Sequence, residues 1–259
     1  MSSDLLTLPL WPAEITATFG ADTERDLGDS VLTAISHPTL TVLLPKPSGS
    51  TGLLPAIIVC PGGGYNVEVF DREGLAVARR FVELGFVGAV LKYRLVRKDH
   101  RDAIEDAHQA VRLLRQHASE WSVDKDNIGL LGFSAGGHLT VSAALTAKAN
   151  AKPNWMAPIY PGTSKLPADV VFNEESPAAF LVHTGQDQML SPANSIRIYE
   201  KLHACGVPAA LHVFTTGAHG IDLGNPATGT DAWPALLAHW VKAHQWKQRA
   251  EVVANEWGP

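Results

Sequence analysis

Asn127-Ile-Gly-Leu-Leu-Gly-Phe-Ser-Ala-Gly-Gly-His-Leu-Thr140 decides the fold. Ile128 to Phe133 is an apolar run that reads as a buried strand, and Leu139 to Ala149 is a small-residue helical pattern. Between them stands Gly132-Phe-Ser-Ala-Gly136. A sharp strand-to-helix turn of this kind is a nucleophile elbow: it lifts one serine hydroxyl, here Ser134, clear of the sheet. Its flanking residues must be small because strand and helix backbones crowd there. The new helix also points its N-terminal amides at the serine, which favours developing negative charge. The plain alternative is a glycine-rich turn whose serine only caps the helix, so the rest of the chain has to decide between the two.

On either side, strands and helices alternate. Leu40 to Leu44 and Leu53 to Cys60 read as strands, the second too continuously apolar for a sheet wet on one face. Glu73 to Leu84 has helical spacing and ends at Gly85; Phe86 to Tyr93 is the next buried strand. Asp99 to Trp121 follows as a long amphipathic helix through Ile104, Ala107, Val111, Leu114 and Ala118, and Asp124 to Asn127 reads as a turn. Beyond the elbow come strands at Trp155–Tyr160, Ala179–Thr184 and Ala209–Thr215. Helices follow from Ser191-Pro192 to His203 and from Ala232 to Trp246. Such alternation predicts an α/β fold: a mostly parallel sheet with helices on both faces. Residues 1–30, with Pro9, Pro12 and an acidic patch, read as an N-terminal arm and loop, and residues 31–259 as a single domain. Fewer than twenty residues separate Tyr160 from the strand at Ala179, too few for a separate cap domain, so an open site is expected.

A serine hydroxyl needs a base beside it, and the base needs an orienting carboxylate. The chain order for this arrangement is serine, acid, histidine, with the last two just past the C-terminal ends of strands. Asp187 fits, following Phe180-Leu-Val-His-Thr-Gly-Gln, whereas Glu174 and Glu175 precede that strand. His219 fits, on the loop after the last strand. His183 and His212 lie within strands and read as core or sheet-face side chains. His138 opens the elbow helix and could line the site, but it lies at the wrong place for the base. For the oxyanion, the Ala135 amide is one expected donor, and the loop Pro61-Gly-Gly-Gly-Tyr65 supplies Gly63 and Gly64. That loop lacks the lysine of a phosphate-binding loop and the glycine spacing of a dinucleotide site. Tyr65 and Glu73 are candidate substrate contacts; Tyr65 could equally pack under the loop.

Composition excludes several classes. The 259 residues carry 46% hydrophobic and 18% charged side chains with a net charge of −5, which argues against nucleic-acid or anionic-membrane partners. No apolar run approaches the ~18 residues of a membrane span. The N-terminus has no basic region followed by an apolar stretch, so a cytoplasmic protein is expected, or a secreted one whose leader has been removed. Cys60 and Cys205 read as unpaired core and boundary residues. The 11 histidines are scattered, and no metal-ligand spacing or cofactor motif stands out, so neither metal nor cofactor is expected. His100, His108 and His117 share a helix and read as solvated. The expected partner is a small-molecule or oligosaccharide ester; oligomeric state is not readable.

Pro61-Gly-Gly-Gly-Tyr65, Leu91-Lys-Tyr-Arg-Leu95, Gly132-Phe-Ser-Ala-Gly-Gly-His138 and Gly217-Ala-His-Gly220 together resemble bacterial α/β-hydrolases of the acetyl xylan esterase and feruloyl esterase type. The resemblance runs from about Leu40 to Trp246. It implies a serine esterase with an α/β-hydrolase fold, releasing short acyl groups, often acetyl, from plant polysaccharides or smaller esters. By motif it implies Ser134 as nucleophile, Asp187 as orienting acid and His219 as base. Many members have Asp-Asp where Gln186-Asp187 stands here, which keeps the acid and changes its neighbour. A serine peptidase or amidase is the alternative enzyme with the same triad, and a catalytically inactive scaffold the alternative outside enzymes.

Overall fold

The computed structural model describes residues 5–46, 52–95, 100–163 and 166–243. Eleven strands occur among them: β1 Leu5–Pro9, β2 Arg25–Asp26, β3 Val31–Thr33, β4 Thr39–Leu43, β5 Leu54–Cys60, β6 Val67–Val69, β7 Val87–Lys92, β8 Val123–Phe133, β9 Trp155–Ile159, β10 Ala178–Thr184 and β11 Ala209–Phe214. The α-helices are α1 Ala13–Thr16, α2 Ala76–Glu83, α3 Arg101–Gln116, α4 Ala135–Thr146, α5 Ala193–Ala204 and α6 Trp233–Lys242. Eight strands form one sheet in the order β1-β4-β7-β5-β8-β9-β10-β11. The pairs from β7 to β11 are parallel, and β1 and β4 join antiparallel at one edge. The alternation of elements predicted this mostly parallel sheet, and it is the α/β-hydrolase fold that the resemblance implied.

Alternate residues along each central strand feed opposite layers, because side chains in a strand point to opposite faces. Ala56, Ile58, Cys60, Ile128 and Leu130 pack with Ala107, Val111 and Leu114 of α3 and Leu139 of α4. Ile57, Val59, Leu131 and Phe133 pack with Val77 and Phe81 of α2 and Trp233 and Leu237 of α6. Both faces are therefore dry, which explains the unbroken apolar runs. Helix α4 is buried from Ala135 through Ala144, so its small residues let it lie close under neighbouring elements.

Three readings of the sequence need correction. The stretch taken as arm and loop contributes β1, whose Leu5 to Pro9 pair with Leu43 to Thr39 of β4. Leu10 behind it is buried, and the Trp11 indole N–H donates to Asp106 Oδ1 at 2.7 Å. Asp124 to Asn127 is a bulge inside β8, not a turn before it. Leu54 pairs with Val123 and Ala56 with Ile128, so the whole stretch from Asp124 to Asn127 opposes Pro55 alone. The long helix stops at Gln116, and His117 turns back to stack on Trp121. A small antiparallel sheet, β2-β3-β6, was not expected. Residues 244–246 of the expected last helix lie outside the described residues.

Candidate active site

The strand β8 ends at Phe133, and the chain reverses through Ser134 at φ 53° and ψ −112° into α4. A non-glycine residue at positive φ is strained and persists only where its surroundings fix it. Here the Ser134 N–H donates to Ile159 O at 3.1 Å, and Ser134 O accepts from the His138 N–H at 3.0 Å. A Cβ at Gly132 would lie 2.1 Å from Gly136 O, so only glycine lets strand and helix meet there.

Ser134, Asp187 and His219, far apart in sequence, meet at the C-terminal edge of the sheet. Ser134 Oγ donates to His219 Nε2 at 2.9 Å, and His219 Nδ1 donates to Asp187 Oδ2 at 2.8 Å. Asp187 is fixed from its other side, where Oδ1 accepts the Met189 and Leu190 amides at 2.9 Å each. Burial alone would raise its pKa, but the Leu190 amide, the His219 ring and the Met189 amide outweigh burial and hold it below the ordinary carboxylate value. The carboxylate is thus ionised wherever the imidazole needs a partner. Behind it, buried His183 donates from Nε2 to Leu190 O and accepts the Ser195 hydroxyl at Nδ1, both at 2.8 Å. Burial lowers its pKa, leaving a neutral ring against Asp187. His183 was expected as a satisfied core residue, and it is one.

The glycine loop lies alongside. Gly63 and Gly64 have φ of 134° and 65°. The Gly62 N–H donates to Glu73 Oε2 at 2.7 Å, whereas neither the Gly63 nor the Gly64 amide meets an acceptor among the described residues. The Ala135 amide, at the N-terminus of α4, likewise meets no acceptor among the described residues. Tyr65 packs under the loop: its hydroxyl bonds His138 Nδ1 at 2.8 Å and its ring stacks on His100 at 3.8 Å. Glu73 is likewise behind the loop, with both oxygens engaged by protein groups. The expectation that Glu73 lines the substrate pocket is therefore not how it sits, whereas Tyr65, though packed under the loop, still lines a recess together with Asn66 and Arg94.

His100 and His108 depart from the solvated reading. His108 is buried and donates to Ala143 O at 2.9 Å, joining α3 to α4. The signal was present: position 108 falls on the same stripe as Ile104 and Val111. Tyr160 and Asp222, both beside the site, carried no local signal. Their partners are distant in the chain.

Two recesses open beside the loops that carry Tyr65 and His219. One, of about 530 Å³, lies between the glycine-loop residues Tyr65 and Asn66, the N-terminal residues Phe19 and Thr23, and Arg94. The other, beside the histidine, is lined by Gln186, Gln188, Met189, Ala218 and His219. Among the described residues no helix or strand lies between Ile159 and Ala178, so none from that connection covers the site. No described helix is long and apolar enough to cross a membrane. Among the described residues no cluster of three or more His, Cys, Asp or Glu could hold a metal ion, and both cysteines are free.

The profile of the BD-FAE family matches residues 40–170, which include the glycine loop and Ser134. The chain belongs to the BD-FAE family. An acetylxylan esterase of Xylanibacter ruminicola is 25% identical to this BD-FAE chain over 217 residues, covering 73% of it and 45% of the relative. An endo-1,4-beta-xylanase B of Butyrivibrio fibrisolvens is 25% identical over 208 residues, covering 65% and 33%. The chain spans less than half the length of these curated relatives. The crystal structure of an acetyl ester-xyloside bifunctional hydrolase from Caldicellulosiruptor lactoaceticus matches with a TM-score of 0.76 at 25% identity, covering 92% of this chain and 96% of that one. MGS-M1, an α/β hydrolase from a Medee basin deep-sea metagenome library, matches with a TM-score of 0.74 at 23% identity, covering 95% and 99%. That likeness speaks for the fold.

Proposed function

We propose that this chain is a serine esterase that removes short acyl groups, acetyl foremost, from hydroxyl-rich alcohols such as xylo-oligosaccharides. The observation that carries the reading is the His219 ring, bridging Ser134 Oγ and Asp187 Oδ2 at 2.9 and 2.8 Å. The names of the family's relatives supply the substrate class.

His219 Nε2 takes the Ser134 proton as Oγ attacks the ester carbonyl. The carbonyl oxygen gains negative charge and is held by the Ala135, Gly63 and Gly64 amides, each such donor being worth about 3 kcal/mol in the transition state. Asp187 keeps the proton on Nδ1 and steadies the imidazolium. The tetrahedral species collapses, the C–O bond to the alcohol breaks, and Nε2 returns its proton to the departing oxygen. Water, deprotonated by the same nitrogen, then cleaves the acyl-serine and releases the acid. Because the departing oxygen must reach Nε2, the alcohol lies on the His219 side. There the Gln186 and Gln188 amides and exposed Met189 suit a neutral hydroxyl-rich group better than an ion.

A panel of acyl esters from acetyl to dodecanoyl, run beside acetylated xylo-oligosaccharides and peptide anilides, tests this reading. Preference for acetyl with acetate released from the sugar supports it. Faster cleavage of the anilides would replace it with an amidase.

A further inference from the structure

Glu73, just before α2, is 6% exposed and touches three separate segments of the active-site rim. Its Oε2 accepts the Gly62 N–H at 2.7 Å, and its Oε1 accepts the Tyr160 hydroxyl at 2.8 Å. The third segment is the histidine loop. Asp222, three residues past His219, faces Glu73 closely enough to take a hydrogen bond from it. A Cβ at Gly62 would lie 2.4 Å from Glu73 Oε2 and 3.3 Å from Ser134 Cβ, so a single backbone unit separates this carboxyl from the nucleophile. Tyr160, at φ 37°, sets its ring edge-to-face on His219 with centroids 4.9 Å apart.

The hydrogen bonding around this carboxyl is incomplete without a proton. Asp222 Oδ2 pairs with Arg72 Nη1 at 3.1 Å, but its Oδ1 is buried with no hydrogen-bond donor among the described residues. A buried acceptor left unpaired costs about 1–3 kcal/mol. Two neighbouring carboxylates disfavour each other's charge, and of this pair Glu73 is the more buried, Asp222 being 25% exposed and paired with Arg72. Burial raises the Glu73 pKa, the Tyr160 and Gly62 hydrogen bonds and the His219 ring pull it down, and the Asp222 charge adds to the rise. The other charges on the short helix carrying Glu73 are Arg72, paired with Asp222 at 3.1 Å, and Asp71, which faces Arg79 at 3.6 Å. A proton on Glu73 supplies the donor that Asp222 Oδ1 lacks.

We infer that Glu73 is a positioning residue for the ester hydrolysis proposed above: as the proton-bearing partner of Asp222 it ties the glycine loop, Tyr160 and the His219 loop into one unit. It touches neither substrate nor the reacting atoms. Its effect is to hold the oxyanion donors and the base in register with Ser134.

The inference rests on the esterase reading, and the test separates the two. Turnover of p-nitrophenyl acetate is measured for the whole chain and for Glu73→Ala, Glu73→Gln and Asp222→Ala, together with melting temperatures. Glu73→Ala lowers kcat on the order of 10²-fold with KM little changed, because the loops that form the transition-state contacts shift while the binding recesses remain. Glu73→Gln keeps an acceptor for Gly62 and N–H donors toward Asp222, and restores most of that loss. Asp222→Ala lowers kcat roughly tenfold and decides the matter should Glu73→Ala not fold. A Gln variant as slow as the Ala variant, a Glu73→Ala protein that loses stability alone, or an Asp222→Ala protein with full kcat would each overturn the inference. If the unaltered chain hydrolyses no ester, the esterase reading fails by itself. The pairing is then decided by infrared spectroscopy at neutral pH: a protonated-carboxyl C=O band that disappears in Glu73→Gln upholds it, and absence of such a band overturns it.

Discussion

Gly136 in the first turn of α4 sits directly against the end of β5: a Cβ there would lie 2.0 Å from the Cys60 carbonyl oxygen and 2.5 Å from that of Pro61. No rotamer relieves a clash with backbone, so Gly136→Ala must push helix and strand apart. It is expected to cost about 1–3 kcal/mol of stability. It also displaces Ser134 from His219 and lowers kcat on the order of 10²-fold. Urea denaturation and turnover check both, and a Gly136→Ala protein equal to the original in both would refute the crowding argument.

In the proposed mechanism Asp187 acts through the imidazole. In Asp187→Asn the side chain still accepts the Met189 and Leu190 amides but favours the wrong histidine tautomer. The expected loss in kcat is on the order of 10⁴-fold, with the melting temperature nearly unchanged. Because the Asp187 pKa is held below its ordinary value of 3.8, the acid limb of the rate profile reports another group. An Asp187→Asn enzyme within about tenfold of the original would remove the carboxylate from the mechanism.

His108 gives a pH-dependent stability with a definite sign. Burial lowers its pKa below the ordinary 6.5, although its bond to Ala143 O and the nearby Glu105 pull the other way. The unfolded chain therefore binds this proton more readily. The contribution is present above pH 6.5 and is lost as pH falls through the folded value, by up to about 1.4 kcal/mol per pH unit. His108→Gln should flatten part of that decline in urea titrations. His183 and His212, lowered by burial as well, keep the remainder. An unchanged slope would contradict the assignment.

Trp11 anchors the start of the chain to the core. Its indole N–H meets Asp106, which also holds the Arg94 guanidinium, with Nη2 to Oδ1 at 2.8 Å. Trp11→Phe keeps the ring and removes the donor, so about 1.5–3 kcal/mol should be lost, read as a shift of the urea midpoint. A midpoint that does not move would leave the N-terminal segment without a role in stability.

What could be read from the sequence was local. The elbow and the glycine loop each place their chemistry within five to seven consecutive residues, and crowding of the backbone dictates those residues. Asp187 and His219 followed from chain order and from their positions just past strands. β1 escaped because its pairing lies in β4, far along the chain, and because Leu5 and Leu6 are exposed, which blurs any alternation. The bulge at Asp124–Asn127 carries true turn chemistry, with the Asp126 N–H on Asp124 Oδ1 at 3.0 Å, but pairing with β5 resumes on both sides of it. Glu73 was a candidate substrate contact. Its real partners, at positions 62, 160 and 222, come together only when the sheet forms.

The most direct measurement is the mass of the protein after incubation with an organophosphonate, followed by mapping of the adduct. One adduct per chain, carried by Ser134 and formed in step with loss of acetyl-ester hydrolysis, is the result expected when His219 activates that hydroxyl. Full hydrolysis with Ser134 unmodified, or an inactivating adduct on another residue, would contradict it.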